Sequence, residues 1–174
     1  MIQMEELTVA RIRELLGSGQ ITSRQLVLNY MERIALIDKS GPKLNSVLEL
    51  NPDALYIAEA MDRERAKGKL RSPLHGIPIL IKDNINTHDK MRTSAGSIAL
   101  DDNFAPYDAT VAKKLRDAGL IIMGKTNMTE LANYMSYSMR NGYSSRGGQV
   151  INPYNSEGDV WGLSLIHISE PTRQ

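Results

Sequence analysis

Residues 77–81 read Ile-Pro-Ile-Leu-Ile, a short and almost wholly apolar run of the kind a strand shows when both of its faces are covered. Proline beside the start of such a strand is tolerated. A second run, Leu-Ile-Ile-Met at residues 120–123, follows a segment whose apolar residues Val111 and Leu115 have helical spacing, running from Asp108 to Ala118 and closed by Gly119. Strand, crossover helix and strand in that order are parallel and right-handed in nearly all cases. The chain is therefore expected to be α/β, with the carboxyl ends of both strands on the side where open α/β sheets place their ligands. Two strands alone leave both edges unpaired and the apolar faces half covered, so further sheet has to come from elsewhere.

Three helices are expected before the first strand. Val9, Ile12, Leu15 and Leu16 recur at helical spacing between Thr8 and Gly17. A second helix starts at the Thr22/Ser23 cap, with Gln25 three residues after Thr22, and carries an apolar stripe through Leu26, Tyr30, Met31, Ile34 and Ile37. A third opens with Asn51 and Pro52, a capping residue followed by proline at the first helical position, and continues past Ile57, Ala58 and Met61 towards Gly68. After the second strand, Thr126 or Asn127 with Glu130 forms a capping-box pattern that predicts another helix. Beyond Ala132 the spacing of Asn141, Gly142, Gly147, Gly148, Asn152, Pro153, Asn155 and Gly158 predicts loop. Internal repeats and low-complexity tracts are absent from the sequence.

Composition narrows the chemistry. With 21 basic and 20 acidic side chains the net charge is +1, which gives no reason to expect nucleic acid or an anionic membrane surface as partner. The 174 residues are 41% apolar and 24% charged, enough to bury the core of about one domain. Cysteine is absent, so disulfides, thiolate nucleophiles and cysteine-ligated metals are excluded. The longest apolar stretches fall far short of the ~20 residues of a membrane helix. Residues 1–7, with Glu5 and Glu6, lack the basic start and apolar run of a secretory signal, so a cytoplasmic protein is expected.

Lys82 stands directly after the first apolar run, followed by Asp83 and Asn84. If buried there, its ammonium form is disfavoured by desolvation, and the neutral amine becomes a base near neutral pH. Such an amine can relieve a serine of its proton, which is the basis of serine/lysine catalysis. The ordinary alternative is that Lys82 and Asp83 mark where the strand meets solvent, the fate of most lysines.

Four blocks decide between these. Leu74-His75-Gly76-Ile77-Pro78-Ile79-Leu80-Ile81-Lys82-Asp83-Asn84, Thr93-Ser94-Ala95-Gly96-Ser97, Tyr107-Asp108-Ala109-Thr110-Val111 and Gly124-Lys125-Thr126-Asn127-Met128-Thr129-Glu130 resemble, in order and spacing, the amino-terminal third of the amidase signature family. The resemblance covers about residues 8–162, and Asn152-Pro153-Tyr154-Asn155 resembles the segment just before that family's glycine/serine-rich signature. It implies a mixed sheet surrounded by helices, of which this chain holds an incomplete amino-terminal part. It also implies hydrolysis of carboxamide C–N bonds by a serine, a bridging serine held by a cis peptide bond, and a lysine that matches Lys82. The substrate is then a small-molecule amide, and neither cofactor nor metal is required.

Departures from the family pattern are concentrated at the end. After Asp159-Val160-Trp161-Gly162 the family supplies the bridging serine and, further on, the nucleophile, whereas this chain continues Leu163-Ser164-Leu165-Ile166-His167-Ile168-Ser169-Glu170-Pro171-Thr172-Arg173-Gln174. That string resembles the conceptual translation of a sequencing-library adapter. Residues 1–162 are therefore expected to be the amino-terminal portion of an amidase domain and residues 163–174 a non-native tail. Ser164 and Ser169 lie in that tail and are not candidate catalysts, and the flanking glycines that would shape a turn at Ser164 are missing. The chain by itself is expected to be inactive.

Other residues weigh less. Met135 and Ser136 occupy the loop that, by the resemblance, lies near substrate, and Ser136 is a candidate substrate-binding residue against the usual role of loop serines as turn formers. Gly124-Lys125-Thr126 lacks the upstream glycine and spacing of a phosphate loop. His75 and His88 have no partner at metal-ligand spacing. Two further readings compete: a fragment of the glutaminase subunit of a tRNA-dependent amidotransferase, whose pattern usually has Cys where Ala95 stands, and a small non-catalytic binding module. Exposed strand edges argue against the module, since they favour aggregation.

Overall fold

The computed structural model describes residues 7–158 and 160. Thr8 caps α1 (Val9–Gly17), its hydroxyl accepting from Arg11 N. Thr22 and Gln25 form the expected capping box at the start of α2 (Ser23–Arg33), and the same path continues through a π-helical turn, Ile34–Lys39. Then comes a strand that the apolar pattern does not announce, β1 (Val47–Leu50). Four residues with Glu49 among them are too short and too polar to stand out.

α3 (Ala54–Ala66) begins later than the Asn51-Pro52 signal suggests. Asn51 has other work: its Oδ1 accepts from Asp53 N at 2.9 Å and its Nδ2 donates to Ile122 O at 2.9 Å, tying the turn before the helix to the neighbouring strand. β2 (Pro78–Lys82), α4 (Thr110–Asp117) and β3 (Ile121–Thr126) are the expected strand, helix and strand, and β2 pairs with β3 in parallel. The crossover closes on Gly119, whose φ of +84° is open to glycine and whose added Cβ would lie 2.7 Å from His75 Nδ1.

The sheet order is β1-β3-β2, with β1 antiparallel to β3, so the extra sheet comes from within the chain and the sheet is mixed. Strand alternation sends Ile121, Met123 and Leu80 to one face, where Val27, Ala54, Ala58 and Met61 of α2 and α3 cover them. Ile122, Ile79 and Ile81 point the other way, onto Met91, Ala112, Ile85 and Leu115. A separate cluster of Ile12, Leu15, Leu16, Ile21, Leu26 and Ile77 holds α1 to the base of β2. β2 stands at one edge of the sheet, and a groove of about 750 Å³ lined by Tyr30, Ile37, Val47, Ile79, Leu80 and Ile81 opens beside it.

The helix expected from Thr126 or Asn127 does not form. Thr126 is still in β3, and Leu131, Ala132 and Asn133 have φ of 45°, 56° and 65°, which a right-handed helix cannot accommodate. Asn127 serves instead as a staple between loops: its Nδ2 donates to Asn45 O (3.2 Å) and Gly148 O (3.4 Å), and its Oδ1 accepts from Ser144 Oγ (2.8 Å) and Met128 N (2.9 Å). Ser144 and Gly148 belong to a two-residue hairpin, β4 (Tyr143–Ser144) and β5 (Gly148–Gln149), within the stretch expected to be loop.

Gly124 lets β1 approach β3, because a Cβ there would lie 2.6 Å from Glu49 O and 2.9 Å from Leu80 Cδ2. Gly124→Ala is expected to cost about 1–3 kcal/mol, the range for overpacking a filled core. Gly17→Ala, with nothing within 4 Å of the added methyl, is expected to cost nothing. Urea unfolding of the two variants checks this, and equal midpoints would contradict it.

Candidate active site

Lys82 is the last residue of β2, and its carbonyl accepts from Ile85 N at 3.0 Å in the turn that leaves the strand. Only 9% of its surface is exposed. Among the described residues its amine has no hydrogen-bond or ion-pair partner. Burial lowers its pKa from the ordinary lysine value, the direction that a base requires.

Asp83 holds the backbone just beyond the lysine. Fully buried, it accepts at Oδ2 from Ser94 Oγ (2.5 Å), Ser94 N (3.2 Å) and Gly96 N (2.9 Å), while its carbonyl accepts from Ala95 N (3.3 Å). The strand tip and the 94–96 turn are thus one unit. Gly96 can take no side chain, since its φ is +77° and a Cβ would lie 2.9 Å from Ser144 Cβ. Burial pushes the Asp83 carboxyl pKa up, opposed by the bonds from Ser94 and Gly96 and by the charges of Lys125 and Arg146. Arg146, from the β4–β5 turn, lies 3.6 Å from Asp83 Oδ1 and also bonds Glu49 (2.6 Å) and Asp101 (2.5 Å). One guanidinium therefore ties β1, the β2 tip and the 101 turn together.

Lys125 is the residue that sequence reasoning undervalued. It is wholly buried, and its Nζ donates to Ile85 O at 2.6 Å and Thr93 Oγ1 at 3.0 Å, tying both ends of the 85–93 loop to β3. Burial brings its pKa down to about 8, against the charges of Asp83, Asp89 and Glu49, which act to raise it. The available signal was Gly-Lys-Thr directly after an apolar run, which is compatible with a strand longer than its apolar part. Thr126, the next residue, is in register with Lys82 across the parallel pair. Register partners in a sheet share a face, so Lys82 and Thr126 lie on one side and Ile81 and Lys125 on the other.

Ser136 lies in a shallow depression lined by Asn133, Tyr134, Met135 and Tyr137, with Lys82 not among its walls. Its Oγ accepts from Ser138 N at 3.2 Å, the geometry of a turn-forming serine, and the described residues give no bond between it and the lysine. His75 is buried, with Nε2 3.0 Å from Met61 O; His88 is exposed and donates its backbone N–H to Asp108, and among the described residues no group of three or more metal-ligating side chains includes either. Ser164, Ser169 and His167 lie outside the described residues, as do Asp159, Trp161, Gly162 and the whole 163–174 tail.

The family model for amidases matches residues 25–164. The chain belongs to the amidase family. The peptide amidase of Stenotrophomonas maltophilia, a solved structure, is 49% identical and superposes with a TM-score of 0.84 over 87% of this chain and 31% of that one. An amidase family protein of Bacillus anthracis gives 41% identity and a TM-score of 0.84 over 87% and 30%. The A subunit of the glutamyl-tRNA(Gln) amidotransferase of Prochlorococcus marinus is 41% identical over 86% of this chain and 29% of its own. The chain spans 24–29% of the length of the first three curated relatives it matches. The α/β fold with a mixed sheet and flanking helices is that of these amidases.

Lys125 gives stability a pH dependence. Its pKa is about 8 when folded against 10.5 when free, so the native state releases this proton first and the unfolded state binds more protons between those values. The stability of the wild type relative to Lys125→Met is therefore expected to rise with pH from about 8 to about 10.5. Urea titrations of both proteins at stepped pH measure it, and a difference that stays flat across that window would refute the assignment.

Proposed function

We propose that this chain carries the general base of a carboxamide hydrolase, and that Lys82 is that base. The observation that supports this is Lys82 itself, a residue 9% exposed at the carboxyl end of a parallel strand, its amine without a partner among the described residues and its pKa lowered by burial. A neutral Lys82 takes a proton from a bridging hydroxyl, which takes one from the nucleophilic serine as that oxygen attacks the amide carbon. Collapse of the tetrahedral intermediate breaks the C–N bond, and the proton passes back to the leaving amine. Water then releases the acyl group by the same relay. Backbone N–H groups of the serine-bearing loop stabilise the oxyanion.

In this reading residues 1–162 are the amino-terminal portion of the amidase domain, residues 163–174 are foreign to it, and both serines come from family sequence beyond position 162. Ser136 contributes through its loop, on the substrate side. The substrate is a small amide, with no cofactor, nucleic acid or membrane partner, and the setting is cytoplasmic. A second reading, the glutaminase subunit of a tRNA-dependent amidotransferase, is favoured by the 41% identity to such a subunit, and capture of partner subunits by a full-length relative of this chain separates the two.

The test joins residues 1–162 to the remainder of the Stenotrophomonas peptide amidase. This chimera is expected to release ammonia from simple primary amides, and Lys82→Ala is expected to lower kcat/KM by about 10³-fold, within the usual range for removing a general base. The 174-residue chain alone is expected to release none above background. Retention of activity within about tenfold in Lys82→Ala, or turnover by the chain alone, would overturn the proposal.

A further inference from the structure

Arg146 makes more contacts than linking its hairpin to the sheet requires. Its side chain is 9% exposed, with Nη2 on Glu49 Oε2 at 2.6 Å and Nε on Asp101 Oδ1 at 2.5 Å. Arg92 meets the same two carboxylates, 3.1 Å from Glu49 Oε1 and 3.8 Å from Asp101 Oδ1. Nη1 of Arg146 goes elsewhere: it donates to Ser94 Oγ at 3.4 Å and stands 3.6 Å from Asp83 Oδ1. That oxygen is buried without a hydrogen-bond partner among the described residues, so what it faces is the guanidinium charge. A buried carboxylate oxygen in that condition is costly unless a counter-charge stands beside it. The other oxygen, Oδ2, meets donors only, the Ser94 and Gly96 N–H groups and the Ser94 hydroxyl. Because Ser94 Oγ accepts from Arg146, its own proton is left for Asp83. Both oxygens are therefore set for the ionised carboxylate.

We propose that Arg146 is a positioning residue for Lys82, acting through the Asp83 carboxylate that anchors the backbone directly after the lysine. The contacts run from the guanidinium to Asp83 and Ser94, from Asp83 Oδ2 to the 94–96 turn, and from Ala95 N back to the Asp83 carbonyl at 3.3 Å. The residue after Lys82 is thus held by its side chain and its carbonyl together. Without the counter-charge the neutral carboxyl is favoured, a weaker acceptor for the donors at Oδ2, and the strand tip loosens. Lys125 is the other cation acting on Asp83, but its amine is committed to Ile85 O and Thr93 Oγ1 and gives up its proton at about 8. Arginine keeps its charge throughout. The backbone N–H of Arg146 donates to Gly96 O at 3.0 Å, a bond that survives truncation of the side chain. This proposal rests on Lys82 being the base.

Carboxyl resonances of the 174-residue chain test the contact with Asp83. Arg146→Met is expected to raise the Asp83 Cγ titration midpoint by about 1 unit or more, the effect of removing an opposite charge at this range, and Arg146→Lys is expected to return most of that shift. Arg92→Met breaks the same links to Glu49 and Asp101 and is expected to move the midpoint far less. In the wild type the amides of Gly96 and of Ile85, which donates to Lys82 O, are expected to titrate with Asp83, an observation that needs no variant. Independent titration of those amides, an unmoved Asp83 midpoint in Arg146→Met, or equal shifts from the two arginine variants would overturn the proposal. In the chimera, Arg146→Met is expected to lower kcat by up to about 10²-fold at the acid end of the profile with KM little changed, the deficit narrowing as pH rises and Asp83 ionises. The ratio of variant to wild type cancels the protonation of Lys82 itself. A deficit constant with pH, as a purely structural loss would give, or no deficit at all, would overturn the proposal equally. An inactive wild-type chimera tells against amide hydrolysis alone, since the resonance titrations still decide whether Arg146 acts through Asp83.

Discussion

The parallel pairing of β2 with β3 is the constraint on which the rest of the structure depends. Pairing Leu80 with Gly124, Ile81 with Lys125 and Lys82 with Thr126 decides which side chains share a face. A slip of one residue would turn the lysine at the tip of β2 to the opposite face. The register is held from several directions. Gly124 admits β1 closely on one side, Ile122 and Ile121 lock opposite faces into different apolar clusters, and the bond from Gly76 N to Gly119 O (2.8 Å) closes the base of the crossover.

Two lysines one register step apart on adjacent strands show how the same residue type is put to different use. Lys125 is wholly buried but bonded to a carbonyl and a hydroxyl, with three carboxylates acting to keep its charge. It is a strut. Lys82 is 9% exposed, with neither bond nor counter-charge among the described residues, and burial is what lowers its pKa. Asp83, immediately after it, is absorbed by Ser94, Gly96 and Arg146 and so does not neutralise it. Fixing the backbone on both sides while leaving the amine unpaired is what the proposed role of Lys82 as a base requires.

The crossover unit was legible in the sequence because its strands are apolar on both faces and its helix ends on a glycine that needs a positive φ. The capping box at Thr22 and Gln25 was legible for the same reason: both signals are local, and neither depends on distant partners. β1 was not legible, since Val47, Leu48, Glu49 and Leu50 become a strand only through pairing with β3, and Glu49 is tolerated half-buried there because Arg92 and Arg146 come to meet it. Thr126, Asn127 and Glu130 imitate a helix start. The staple made by Asn127 to residues 45, 144 and 148 consumes the cap, and Glu130 accepts from Ser145 N instead. At the site itself, position after an apolar strand singled out Lys82, whereas the burial of Lys125 exists only once three strands are side by side.

A neutral amine at the end of β2 is the central claim, and its most direct test is the reactivity of that amine as pH is varied. Trace acetylation of the folded chain, read by mass spectrometry at each lysine, compares Lys82 with the exposed Lys69 as an internal standard. Lys82 is expected to gain reactivity at lower pH than Lys69, because its uncharged form is populated earlier in the titration. Parallel curves for the two lysines, rising together near the ordinary lysine value, would contradict it.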